Sequence, residues 1–552
     1  MIRALLLAGA ATALIAAAPA QIPERSIQPV VGDPVATDSG RVAGTQLPSG
    51  VHAYLGIPFA APPTGDLRWA APQPLKWTGV MPANRKGAAC IQVLRPHDIN
   101  HYFGEEATSE DCLYMNLWSP AAATPASKLP VIVFIYGGGF TIGSSGMANY
   151  DGESVAKAGA VFVNFNYRVG AMGFMAHPEL TAEQGGHSGN YGLMDQIAAL
   201  KWVRANIAKF GGDPDKVLIM GQSAGAGSVI SHIFSPQSKG LFRAAVMSSG
   251  CNYKTDGQTL AEAEKAGLAM QERFKASSLA ALRNVPADRI LAAQSENQLG
   301  LSVSGVRIGG PIIDGFVLPV KKAEALAAGN INRVPVIASY NSNDLSFGFE
   351  PLLAAKTVAD YTAAATKLWG EAAPEYLKLF PVKTDADVPA TARRAATEAG
   401  LESSARFCAR EQARLGLPAW IDEYARVHPY VPGVRLADQN TATVGAYHTA
   451  DIPYFFGTQD AYNMFRPTRN WTPWDRELSA KMMGSLIAMA ATGSPDTPAM
   501  RWSGWTPKAE SKIVFGDSIS TVKLDPKRLD WLAAHPASTT PVVRPRGANP
   551  ID

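Results

Sequence analysis

From about Val131 onward the chain alternates short, unbroken apolar runs with longer segments of mixed character. VIVFIY (131–136), VFVNFNY (161–167), VLIMG (217–221), AAVMSSG (244–250) and VPVIASY (334–340) are continuous and not alternating. A strand with one wet face alternates, so runs of this kind predict strands covered on both faces, in a parallel or mostly parallel sheet. Between the second and third runs, MDQIAALKWVRANIAKF (194–210) sets Ile197, Leu200, Val203 and Ile207 on one helical stripe, and Gly211 with Gly212 ends it. Strand, helix and strand in this order are the grammar of an α/β protein, whose right-handed crossovers place helices on both faces of the sheet. From Leu260 to Leu415 the pattern is largely helical and Ala-rich, interrupted by VRIGGPIIDG (306–315) and the strand at 334–340. Helical insertions over a sheet edge are expected there. No internal repeat or sharp linker divides the chain, so one large domain is expected over 21–534, with a loose Pro-, Ala- and Thr-rich tail at 535–552.

The first twenty residues break the pattern. MIRALLLAGAATALIAAAPA joins one positive charge at Arg3 to an apolar stretch from Ala4 to Ala18 and ends in small residues at Ala18 and Ala20. This predicts a secretory signal peptide cleaved after about Ala20, and a secreted or periplasmic mature protein. A membrane anchor needs roughly 20 apolar residues, whereas Pro19, Gln21 and Pro23 follow directly, so no stable membrane insertion is expected. The four cysteines suit an oxidising compartment, and no pair has the CxxC spacing that would favour metal ligation.

Composition removes other classes. Fifty Lys and Arg against 47 Asp and Glu leave a net charge of +3, too even for an electrostatic grip on nucleic acid or anionic lipid. With 47% hydrophobic residues and glycine and proline spread along the chain, neither a disordered nor a collagen-like chain is expected.

The chemistry concentrates at KVLIMGQSAGAGSVISHIF, a buried strand followed by Gly221, Gln222, Ser223, Ala224 and Gly225 and then a helical run. In a strand-to-helix turn the two glycines let the backbone fold tightly enough to push the Ser223 hydroxyl out above the sheet, at a helix N-terminus that favours developing negative charge. An incidental serine in a glycine-rich turn is the bland alternative. Against it stands YGGGF (136–140), after the strand at 131–136, whose bare backbone N–H groups suit the oxyanion of a tetrahedral intermediate. The same glycines suit a phosphate on spacing alone, but the chain has neither GxGxxG nor GKS/GKT there. A nucleophile elbow and an upstream glycine loop, in this order, point to acyl transfer.

These motifs belong to a wider resemblance. The stretches YLGIPFAAPPTGDLRWAAPQPLKWTGV (54–80), SEDCLYMNLWSP (109–120), YGGGFTIGSS (136–145), NYRVGAMGF (166–174), GNYGLMDQ (189–196), FGGDPDKVLIMGQSAGAGS (210–228) and PIIDGFVLP (311–319) resemble the type-B carboxylesterases of the α/β-hydrolase fold. That group includes cholinesterases and bacterial para-nitrobenzyl esterases. The resemblance runs from about residue 40 to 517 and implies a serine esterase that needs no metal or organic cofactor.

α/β-Hydrolases order their triad as nucleophile, acid, histidine. His448 lies in GAYHTADIPYFFG (445–457), similar to the family's histidine segment, with Asp451 where the family often has Glu. His232, on the helix after the elbow, is expected to be structural or exposed. SYNSNDLS (339–346) resembles the family's acid segment and aligns Asp344 with the acid and Asn343 with its acidic neighbour; Ser339 and Leu345 replace the usual glycines. Glu350 is the fallback acid, expected on a solvated helix. The implied mechanism has His448 deprotonate Ser223, Asp344 orient the imidazole, and the amides of Gly138, Gly139 and Ala224 hold the oxyanion.

The resemblance also implies buried ion pairs between Arg68 and Glu110 and between Arg168 and Asp195, and a disulfide between Cys90 and Cys112. Cys251 then remains to pair with Cys408. A small-molecule ester is the expected partner. Two other readings stay open: an amidase or peptidase with the same triad, and an adhesion protein that keeps the fold without catalysis. Cholinesterase activity in particular is not expected, because the loop from Cys90 to Cys112 has no Trp for a quaternary ammonium, and only Tyr102 and Phe103 are aromatic within it.

Overall fold

The computed structural model describes residues 28–94, 100, 107–295, 308–346 and 348–538. The expected signal peptide, Tyr102 and Phe103, and the end of the expected tail lie outside them. Twelve strands form the main sheet: β1 (Gln28–Pro29), β2 (Thr45–Gln46), β3 (His52–Pro58), β4 (Tyr114–Ser119), β5 (Leu129–Ile135), β6 (Val161–Phe165), β7 (Gly212–Gln222), β8 (Ala244–Ser248), β9 (Val336–Asn341), β10 (Ala419–Tyr424), β11 (Ser511–Phe515) and β12 (Ile519–Lys523). Their spatial order is β1-β2-β3-β4-β6-β5-β7-β8-β9-β10-β11-β12. From β6 to β11 every pairing is parallel, and antiparallel strands close both edges.

The five continuous apolar runs are β5 to β9. All residues of β6, β8 and β9 are buried, as strands covered on both faces require. Strand β10 escapes the apolar-run criterion because AWIDEY carries two carboxylates, one of them, Asp422, fully buried. The N-terminal strands escape it because they are short or, in β4, interrupted by the buried Asn116.

Helix α1 (Tyr191–Asn206) ends in a 3₁₀ turn over Ile207–Phe210 and a left-handed Gly211, where the sequence places the stop. The expected stripe of Ile197, Leu200, Val203 and Ile207 is buried, but so is most of the helix; Lys201, Arg204 and Ala205 form the wet side. Helix α2 (Ala224–Phe234) packs on β7 and β8. The helical region after Leu260 includes α3 (Val388–Thr397), which continues through a π-helical turn at Glu398–Glu402 into α4 (Ser403–Arg414), packed on β9 and β10. Helix α5 (Pro473–Thr492) covers β5 and β7.

Arg168 and Asp195 form a bidentate pair at 2.8 and 2.7 Å, both buried. Arg68 and Glu110 do the same at 2.7 and 2.6 Å, but Glu110 keeps partial access to solvent. Cys90 is bonded to Cys112 and Cys251 to Cys408, with Cα atoms 5.0 and 6.9 Å apart. The tail departs from expectation at its start. Residues 535–538 are docked: the Ser538 amide donates to the Leu368 carbonyl at 2.7 Å, and the Trp369 indole donates to the His535 carbonyl at 3.1 Å. No helix among the described residues is long and apolar enough to cross a membrane.

Candidate active site

The parallel strands end on one side, and the chain leaves four of them there as loops that carry the candidate residues, as expected for an open α/β sheet. After β7, Ser223 occupies φ 58°, ψ −122°, a conformation that costs free energy for a residue with a side chain. The surrounding geometry enforces it. A Cβ on Gly221 would stand 2.1 Å from the Gly225 carbonyl oxygen, and a Cβ on Gly225 would stand 2.0 Å from that of Ile135, so neither elbow glycine can be replaced without moving backbone. The Ser223 amide donates to the Ser248 carbonyl at 2.8 Å, which holds the turn against β8.

Ser223 is the N-cap of α2, so the amide of Ala224 has no intrahelical acceptor. After β5, Gly138 and Gly139 take φ 111° and 64°. The amides of Thr141 and Ile142 both donate to the Gly138 carbonyl at 3.1 Å. The amides of Gly138 and Gly139 have no such partner among the described residues, and two glycine turns thus leave main-chain donors beside the elbow.

Asp344 follows β9, and His448 lies in the long segment after β10. His448 Nδ1 is 2.5 Å from Asp344 Oδ1. The carboxylate also accepts from the amides of Leu345 at 2.7 Å and Asn341 at 3.1 Å. Burial alone would raise the pKa of Asp344; the imidazole and the Leu345 amide outweigh it and hold the group below its ordinary value. Arg393 of α3 reaches the Asp344 carbonyl at 3.4 Å, so a helical insertion packs over the acid loop. His448 Nε2 lies 3.1 Å from the Gln222 side-chain nitrogen.

Beneath this pair sits a layer that sequence reading did not anticipate. Asp451 is fully buried, accepting from Ser248 Oγ at 2.5 Å and from Asn341 Nδ2 at 3.3 Å. Ser339 donates to Asp422 at 2.8 Å on the neighbouring strand pair. Burial, with the nearby Asp344 carboxylate adding, raises the pKa of Asp451; burial, with Asp451 and Glu423, holds Asp422 well above its ordinary value. The local signal was the Asp at 451 in the histidine segment. Its partners come from β8 and β9, which no single window displays.

The competing residues stand elsewhere. His232 is buried in α2 between Ser238 Oγ and Gln196 Oε1, each at 2.9 Å, and burial lowers its pKa to about 3. Glu350 forms no hydrogen bond or ion pair with His448; it is half-buried and not solvated as expected, with Oε2 closed off from solvent. Among the described residues no group of three or more His, Cys, Asp or Glu is arranged to hold a metal ion.

Comparison with known proteins agrees with this architecture. The sequence profile of the carboxylesterase family matches residues 32–528. The chain is 36% identical to a fumonisin B1 esterase of Sphingopyxis macrogoltabida over 492 residues, 88% of this chain and 86% of that one. It is 31% identical to a para-nitrobenzyl esterase of Bacillus subtilis over 499 residues, 89% and 96% of the two chains. A solved structure of a PNB esterase superposes with a TM-score of 0.73 at 29% identity, covering 90% of this chain and 98% of that one.

Proposed function

We propose, for a chain that belongs to the carboxylesterase family and has the α/β-hydrolase fold, that its hydrolysis of carboxylic esters runs through an acyl-enzyme on Ser223, with His448 as general base and Asp344 as the orienting acid. The observation that carries the assignment is the 2.5 Å contact of His448 Nδ1 with Asp344, which leaves Nε2 of the same ring at the end of the strand that bears the elbow.

The buried carboxylate fixes the proton of the neutral ring on Nδ1 and the lone pair on Nε2. That lone pair removes the Ser223 proton as Oγ attacks the ester carbonyl. The amides of Gly138, Gly139 and Ala224 receive the oxyanion, and Asp344 stabilises the imidazolium. The imidazolium then protonates the departing alcohol. Water repeats the sequence on the acyl-enzyme and regenerates Ser223. The substrates are small-molecule esters, with acyl and alcohol preference set by the loops above the strand ends.

A fluorophosphonate probe tests the nucleophile. The mature protein should lose esterase activity in proportion to a single covalent label on Ser223, and a label elsewhere would remove the assignment. We also propose export with cleavage after about Ala20, supported by the apolar N-terminal segment and by the two disulfides. N-terminal sequencing of the secreted or periplasmic protein should begin near Gln21; an intact Met1 would overturn it.

A further inference from the structure

Gln222 stands one residue before the elbow serine, and the mechanism above gives its side chain no task. The residue is only 1% exposed. Its Nε2 lies 3.1 Å from His448 Nε2. With the ring proton on Nδ1, facing Asp344, the ring offers a lone pair at Nε2, so the carboxamide N–H donates and the imidazole accepts. Turning the carboxamide over would set its oxygen lone pair against that of the ring. The other side of the group is confined as well: a Cβ on Gly137 would stand 3.0 Å from Gln222 Oε1 and 2.5 Å from the Gln222 carbonyl oxygen, so the glycine loop is open just where this residue packs. The Gln222 backbone is pinned in register with Ser248 of β8. The lone pair that has to take the Ser223 proton is therefore met, in the free enzyme, by a neutral donor on a fixed strand.

We propose that Gln222 is a positioning residue for the general base: its amide caps His448 Nε2, holds the ring turned to the elbow, and yields the lone pair to the Ser223 hydroxyl when an ester fills the site. The proposal rests on the triad reading above. Its physical content is a sign. An N–H donor stabilises the neutral imidazole and opposes the imidazolium, so removing the donor makes the ring easier to protonate. Among the described residues, the charged groups that contacts place at the ring or directly behind it are Asp344 at Nδ1 and Arg393 on the Asp344 carbonyl; Asp451 follows three residues on, and Arg469 Nη2 is 3.4 Å from the hydroxyl of the adjacent Tyr447. None of these is altered by a change at position 222.

The test is the pH dependence of kcat/KM for the wild type and for Gln222→Met, Gln222→Leu and Gln222→Glu, each checked by circular dichroism and by fluorophosphonate labelling. The two apolar variants remove the donor, and their acid limb should move to higher pH by about half a unit. Gln222→Glu places a carboxylate at the ring and should move it further, by about one unit or more. Met and Leu do not share a shape, so one folded apolar variant suffices. Acid limbs that coincide with the wild type in the apolar variants overturn the proposal, as does an unmoved limb in Gln222→Glu, which would mean that position 222 does not reach the ring. A wild type that fails to label at Ser223 overturns the triad reading instead, so the two failures are distinct.

Discussion

The Asn343 amide donates to the Ala446 carbonyl at 3.0 Å, which ties the loop that carries His448 to the loop that carries Asp344 through main chain. Asn341 adds a second tie from the end of β9, its side-chain amide donating to the Tyr447 carbonyl at 2.8 Å. The place of the imidazole thus does not hang on its contact with Asp344 alone. Removing the carboxylate changes the chemistry of the ring more than its position.

Asp344→Asn should therefore fold and keep its near-native circular dichroism, yet lose about 10⁴-fold in kcat, because an amide holds the ring in the wrong tautomer. Steady-state kinetics on a soluble ester, with Glu350→Gln as a control that retains activity, checks this. An active Asp344→Asn beside an inactive Glu350→Gln would reassign the acid.

Ser223→Ala should lose on the order of 10⁴-fold or more in turnover while its melting temperature changes little, since the elbow is held by backbone contacts and not by the hydroxyl. His448→Ala should fall to a similar level, and the double variant should be no worse than either single one. Additive losses would show that the two residues do not act as a unit.

His232 should make the fold acid-sensitive without touching catalysis directly. Burial depresses its pKa from 6.5 to about 3, so the unfolded chain takes up a proton that the native state refuses. Stability is then full above about 6.5 and falls as pH drops toward 3. Near pH 5 the loss relative to neutral pH is about 2 kcal/mol. Urea unfolding of the wild type and of His232→Gln at neutral pH and near pH 5 checks it: the variant should lose less on acidification.

The two disulfides close loops of 22 and 157 residues. On the chain-entropy account the shorter stabilises by about 3 kcal/mol and the longer by about 5 kcal/mol. Cys251→Ala/Cys408→Ala should accordingly lower the melting temperature more than Cys90→Ala/Cys112→Ala. Cys251 lies three residues past the end of β8 and Cys408 on α4, so the first pair of changes should also loosen the helical insertion beside the acid loop, which hydrogen exchange over 388–414 would register.

The sequence by itself determined what depends on neighbours along the chain. Buried strands β5 to β9 were readable because a strand covered on both faces is apolar along most of its length and does not alternate, and the elbow because its two glycines and its serine act within one turn. Motif resemblance extended this to the contact of His448 with Asp344 and the pairing of Cys90 with Cys112. Tertiary structure alone decided the rest. Strand β10 is an interior strand of the sheet although it carries Asp422, since a buried carboxyl is accepted where Ser339 of the next strand bonds it. Asp451 acquires its partners Ser248 and Asn341 only when β8 and β9 end side by side. Gln222 meets His448 across 226 positions of sequence. Helical and strand periodicity report whether a residue faces apolar surroundings, which local pattern encodes; which polar atom meets which is fixed by the order and register of strands, and no window of sequence contains that.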